Sequence, residues 1–334
     1  MATLSTSVLT LADWAKRLDP NGQIAVIIEI LAQQNEILMD MLWKEGNLSI
    51  GERTVIRTGL PTVYWRTLNQ GVQPSKARTA QITESCGILE AWSEVDKKLA
   101  DLSGNVGAFR LSEAKAFIEA MNQEMAGTLF YGNSGLAPEE FNGLAIRYGD
   151  LTANNATNLV SGGGATGQTD CTSIWFVVWG ENTVHGIFPK GSTVGLQRVD
   201  RGVEVVETAA GSTATPTGTR MEAYREKFSW DAGLVVKDWR FAVRVHSIDI
   251  SSDSTDYFDV MTKAYHRLPN LNVGKPVIYM NRTISQRLDL LARSDVSAGG
   301  GLTWETVDGA IIKRFRGIPI RVVDAITETE NSLN

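Results

Sequence analysis

Residues 53–84 read RTVIRTGLPTVYWRTLNQGVQPSKARTAQITE, and the reading of this stretch decides the fold. Thr-, Val- and Ile-rich pieces stand at both ends, with a Gly-Leu-Pro break after the first and NQGVQPSK between them. β-branched and aromatic residues around Gly71 and Pro74 predict a long, twisted hairpin with extended pieces over 53–68 and 77–84. Arg57, Arg66, Lys76 and Arg78 lie along it. A two-stranded ribbon is marginal on its own in water, so such an arm must lie on another surface. Trp65, between Tyr64 and Arg66, has the aromatic-plus-arginine composition of an interface anchor.

Outward from the hairpin, the periodicity changes. Upstream, Leu9, Ala12, Ala15 and Leu18 sit at helical spacing until Pro20-Asn21-Gly22 stops the pattern. Ile24, Ile27, Ile28, Leu31, Leu38 and Met41 then form an apolar stripe that needs a partner surface. Downstream, residues 112–131 predict a rod-like helix of about 30 Å, with Ser112 as N-cap and Gly132-Asn133 as its stop. The chain then turns to β character. FNGLAIRY (141–148) reads as short and extended, IWFVVW (174–179) as a buried strand, and VHGIF (184–188) as another. Strands follow around 222–230, 237–250, 277–281 and 318–326, with helices over 256–268 and 285–293. No internal repeat is visible.

Composition narrows the function classes. The 334 residues include 32 basic and 38 acidic side chains, a net charge of −6, which argues against a dedicated nucleic-acid binder. Cys86 and Cys171 lie far apart and near no His/Cys cluster, which argues against a disulfide framework or a structural zinc and for a reducing compartment. The longest apolar runs fall far short of the ~18 residues of a membrane span. The N-terminus has no secretory pattern, so the chain reads as soluble and cytoplasmic.

VSGGGATGQT (160–169) contains G-x-G-x-x-G, but polar TANNATNL precedes it and a strand follows, so it lacks the strand-loop-helix context of a dinucleotide site. We read it as a mobile loop, like GSTATPTGT at 211–219. His185, His246 and His266 sit in separate elements and read as structural. Asp253, Asp256 and Asp259 read as helix caps, not as a calcium loop. No catalytic constellation, cofactor site or metal site is expected.

The order of elements, together with LTLADWAKRLDPNG, GLPTVYWRTLNQGVQPSK, FNGLAIRY and FRGIPIRVVDAITETE, resembles the major capsid proteins of tailed bacteriophages with the HK97 fold. More narrowly, it is similar to the short-tailed-phage family related to that of Salmonella phage epsilon-fifteen. The resemblance covers essentially the whole chain. It implies an α+β fold with an N-arm (1–45), an E-loop region (46–95), a P domain with a spine helix (96–140 and 254–334) and an A domain (141–253). It implies a non-enzymatic coat protein, self-assembling as hexamers and pentamers into an icosahedral shell around double-stranded DNA, which it would hold without sequence-specific binding. The implied partners are scaffolding, portal and cement proteins, without a membrane. Assembly would take place in the bacterial host cytoplasm. The expected inter-subunit contacts are Ile27, Ile28 and Leu31 in the arm and Arg57, Trp65, Arg66, Lys76 and Arg78 in the hairpin. The competing reading is an encapsulin-like cellular nanocompartment shell with the same fold.

Overall fold

The computed structural model describes residues 33–102, 104–207, 220–252, 255–294, 302–307 and 310–333. The elements run in chain order as α1 (Ile37–Asp40), β1 (Trp43–Glu45), β2 (Gly51–Gly59), β3 (Arg78–Ser85), β4 (Gly87–Asp96), α2 (Lys97–Leu102) and α3 (Val106–Tyr131). Next come α4 (Leu144–Arg147), β5 (Leu159–Ser161), β6 (Cys171–Trp179), β7 (Val184–Phe188), β8 (Gln197–Glu207), β9 (Arg220–Val236) and β10 (Ala242–Asp249). The chain ends with α5 (Tyr257–Arg267), β11 (Lys275–Met280), α6 (Arg282–Ser294), β12 (Leu302–Val307), β13 (Ala310–Phe315) and β14 (Ile318–Val322). Two compact units emerge. Of the described residues, one comprises Gln33 and those within Ile88–Met125 and Gly195–Trp230; the other comprises those within Gln34–Gly87, Ala126–Val194 and 231–333.

In the first unit β4 and β8 flank β9. The long helix α3 buries Ala114 and Met121 with Phe228, and Leu89, Ala91 and Phe117 close around them. Phe117 stacks on Phe228 at 5.8 Å. The helix begins at Val106, not at Ser112, because the Asn105 Oδ1 accepts the Ala108 N–H at 3.1 Å. A capping amide about two turns upstream overrides the serine, which becomes a mid-helix residue. Glu226, almost fully buried, is bracketed by Arg110 at 2.6 Å and Arg198 at 2.8 Å.

In the second unit β6 is buried along its whole length. It lies between β10 and β11, antiparallel to both, and β14 pairs with β11 in parallel. A strand covered on both faces has no reason to alternate, which is why IWFVVW is a continuous apolar run. The amphipathic helices α5 and α6 bury Tyr257, Val260, Met261, Ala264, Ile284 and Leu288 on this sheet. The Asp256 carboxylate caps α5 by accepting the Asp259 N–H at 3.1 Å, as its position suggests; Asp253 lies outside the described residues.

Two sequence expectations change here. FNGLAIRY contains a single helical turn, α4, which buries Leu144 and turns Arg147 toward buried partners. The glycine loop is pinned rather than free: Gly162 and Gly164 donate to the His246 and Ser247 carbonyls at 2.7 and 2.8 Å. A Cβ on Gly162 would stand 2.5 Å from the Ile248 side chain, so glycine here permits close approach of two backbones. The loop at 211–219 lies outside the described residues.

His246, 3% exposed, is held neutral: burial first, then the charges of Arg244 and Arg267, push its pKa down to about 4. A folded-state value below the unfolded one makes protonation oppose folding. Stability should therefore be flat above about pH 6.5, the ordinary histidine value, and fall as pH drops toward 4. Thermal midpoints measured across that window should decline less for His246→Gln than for the native chain. Parallel declines would contradict this assignment.

Candidate subunit interface

The hairpin belongs to the second unit. β2 and β3 pair antiparallel from Gly51↔Ser85 to Arg57↔Thr79, with a bulge between Arg57 and Gly59. β2 ends at Gly59, short of the expected 53–68, while β3 covers nearly all of the expected 77–84. Residues 60–77 form an exposed loop with few internal bonds, among them Ser75 Oγ to the Thr62 carbonyl at 2.5 Å and Arg66 Nε to the Gln70 carbonyl at 2.8 Å. Pro61 and Pro74 lack an N–H, and Asn69 takes a left-handed φ of 66°, so this part cannot continue the ladder.

The loop is apolar as well as exposed. Trp65 is 102% exposed, Leu68 91%, Val63 85% and Leu60 81%. Isolated apolar side chains on a surface need no explanation, but a cluster of them on a projecting loop does. Arg57, Trp65, Arg66, Lys76 and Arg78 are all exposed on this element. Ile27, Ile28 and Leu31 lie outside the described residues.

Sequence reasoning missed the root of the hairpin. Glu52 and Glu84 are cross-strand partners and both are buried. Two carboxylates facing each other across a ladder repel, so each needs its own cation. Glu84 takes both terminal nitrogens of Arg147, at 2.5 and 2.8 Å, and Arg147 also donates to the Asn142 and Leu234 carbonyls at 3.1 Å. Glu52 takes Lys237 and the His185 Nε2, each at 3.1 Å.

Because a carboxylate can only accept, the His185 Nε2 carries the proton, and the buried Nδ1 has no partner among the described residues. Burial pushes the Glu52 carboxyl up, yet hydrogen bonds from His185 and Lys237 hold it below its ordinary value. Burial also drives His185 below the usual histidine value. The sequence does carry a trace of this clamp: Glu52 and Glu84 are the acids that bound an acid-free stretch.

The arrangement contains a charge-clamped base and an exposed apolar and cationic end. Among the described residues no group of three or more His, Cys, Asp and Glu side chains could hold a metal ion. A cleft of about 790 Å³ runs beside β2, lined by 54–60, Asn182 and 237–240. This geometry suits a docking arm.

A profile of the major capsid protein GP7 family matches residues 19–334. The structure of bacteriophage epsilon15 matches over 100% of this chain and 99% of its own, at 34% sequence identity and a TM-score of 0.77. The capsid of bacteriophage JBD30 aligns over 89% of this chain and 93% of its own at 12% identity and a TM-score of 0.49. The SrpI encapsulin complex of Synechococcus elongatus aligns over 74% and 99% at 14% identity and 0.42. At these scores neither bears on the assignment. No curated protein matches significantly by sequence. The chain belongs to the major capsid protein GP7 family, and is a shell-forming phage coat protein with the HK97-type fold.

Proposed function

We propose that copies of this chain close an icosahedral shell around double-stranded DNA by docking the hairpin and the N-terminal arm of each copy on its neighbours. The observation that carries this is the hairpin itself: clamped at its root by buried ion pairs, bare at its apolar end. An element so exposed in one copy is stabilised once a neighbour covers it, and symmetry repeats that gain around the shell. Trp65, Arg66 and Lys76 dock on the adjacent copy, with Arg57 and Arg78 along the ribbon. Ile27, Ile28 and Leu31 supply the apolar side of the arm.

In this reading 1–45 is the arm, 46–95 the E-loop region, 96–140 with 254–334 the P domain, and 141–253 the A domain. Hexamers and pentamers are the building blocks. Scaffolding, portal and cement proteins are the partners, assembly takes place in the bacterial cytoplasm, and the protein performs no catalysis. The mild negative charge would keep the genome from sticking to the wall.

Electron microscopy of the purified chain, expressed alone and with its genomic neighbours, tests the reading. Closed shells or rings are expected. Trp65→Ala should reduce their yield by about tenfold or more, the cost of a hot-spot anchor, without moving the thermal midpoint. Unchanged yield would remove the hairpin from the contact.

A further inference from the structure

Residues 53–83 carry Arg53, Arg57, Arg66, Lys76 and Arg78 and not one acidic side chain. This is a +5 stretch in a chain of net charge −6, which leaves −11 on the remaining residues. All five cations are exposed, and among the described residues none has a carboxylate partner. Their polar contacts are local and neutral: Arg53 Nε to Thr83 Oγ1 at 3.3 Å, and Arg66 Nε to the Gln70 carbonyl. Elsewhere the same chain pairs its arginines closely, as at Arg147, Arg198, Arg225 and Arg244.

The two faces of the ribbon differ. Opposite residues of an antiparallel pair share a face. Arg53, Val55 and Arg57 therefore lie with Thr83, Gln81 and Thr79, and all six are exposed. On the other face Thr54, Ile56 and Ile82 are half-buried, with Glu52 and Glu84 buried at the root. Arg53 and Arg57 thus stand on the face the chain itself does not cover.

We propose that this cation-only face is completed by a carboxylate-rich surface on a second copy of the chain. The inference rests on the docking role of the hairpin and names the chemistry of its partner. Unopposed like charges repel one another along the ribbon, and an acidic surface relieves that repulsion while steering the approach. The rest of each copy carries a net −11, so carboxylates are in excess outside the hairpin. Leu60, Val63, Trp65 and Leu68, all exposed and close to Arg66 in sequence, add the apolar surface that a protein contact buries and a phosphate-binding groove does not need.

The test uses the full chain. Self-association is followed by sedimentation and light scattering over a range of sodium chloride concentrations, for the native protein, for Trp65→Ala, and for a variant with all five cations changed to Gln. The five exposed sites should leave the thermal midpoint unchanged. The native chain should associate less as salt rises, and the Gln variant should associate about tenfold or more weakly with a flatter salt dependence. Carbodiimide coupling of mixed light and heavy-nitrogen copies should join Lys76 to an Asp or Glu of the other copy.

Loss of association in Trp65→Ala with native behaviour in the Gln variant would overturn this inference and leave hairpin docking standing. Native behaviour in both variants would remove both. A Gln variant that associates normally but no longer binds a short DNA duplex would assign the face to nucleic acid and overturn it as well.

Discussion

Replacing Arg244 with methionine should cost the folded chain about 3–5 kcal/mol, a large fraction of the roughly 5–15 kcal/mol that holds a protein folded. Arg244 lies on β10 with its side chain 5% exposed. Its Nη2 reaches the Glu330 carboxylate at 2.9 Å, its Nε the Ser173 hydroxyl at 3.0 Å, and its Nη1 the Tyr148 carbonyl at 2.9 Å. The guanidinium also sits 5.1 Å from the centre of the Trp175 ring. Methionine fills much of the volume but leaves the buried Glu330 charge, among the described residues, with the Tyr131 and Ser173 hydroxyls alone.

The loss should also free the C-terminal segment. That segment is strapped to β6 by two backbone bonds between Cys171 and Glu330, at 3.1 and 2.9 Å, and continues through Ser332 to Gln168 and Leu333 to Ser247. Denaturant unfolding measures the cost, and adding Glu330→Gln to the methionine variant should recover at least about 1.5 kcal/mol by removing the stranded charge. A double variant no more stable than the single one would show that the packing of Arg244, not its charge, matters.

The parts of the fold that were legible in the sequence are those governed by local rules. The period of α3, α5 and α6, the unbroken apolar run of β6, and the cap at Asp256 each follow from neighbours within a few residues. The family resemblance rests on the order of these elements and on the stretches LTLADWAKRLDPNG, GLPTVYWRTLNQGVQPSK, FNGLAIRY and FRGIPIRVVDAITETE. Errors arose where a distant partner decides. Arg147 stands in LAIRY, which reads as part of a short extended piece. Its actual setting is fixed by Glu84, 63 positions upstream, and by the Leu234 carbonyl, 87 downstream.

The glycines at 162 and 164 read as flexibility because nothing nearby announces that β10 will pass within bonding distance of them. The pairing of β6 with β11, about a hundred residues apart, is invisible to any window of local pattern. The candidate interface shows the same division. Trp65, Arg66 and Lys76 could be singled out because exposure without a core is a local property. The Glu52 and Glu84 clamp could not, because two acids 32 positions apart become neighbours only once the ladder register is known.

That clamp leads to the second large effect. Arg147→Met should release the root of the hairpin while leaving the remainder of its unit folded. The substitution removes the bidentate partner of Glu84, whose side chain is only 10% exposed, and sets an uncompensated carboxylate across the ladder from Glu52. Lys237 and His185 are already committed to Glu52, so neither can serve both acids. Breaking one side of a buried pair costs about 3 kcal/mol or more, and here the cheapest escape is for the ribbon to open and let water reach both acids.

Amide hydrogen exchange across 51–59 and 78–85 should therefore accelerate by about a hundredfold, while the buried amides of β6 and β11 keep their native rates. Glu84→Gln added to the variant should slow exchange again, since a neutral amide no longer repels Glu52. Shell yield should fall with the single variant and return with the double, because an arm that swings freely must be ordered at the moment it docks. Native exchange rates at the root of Arg147→Met would mean that strand pairing alone holds the hairpin.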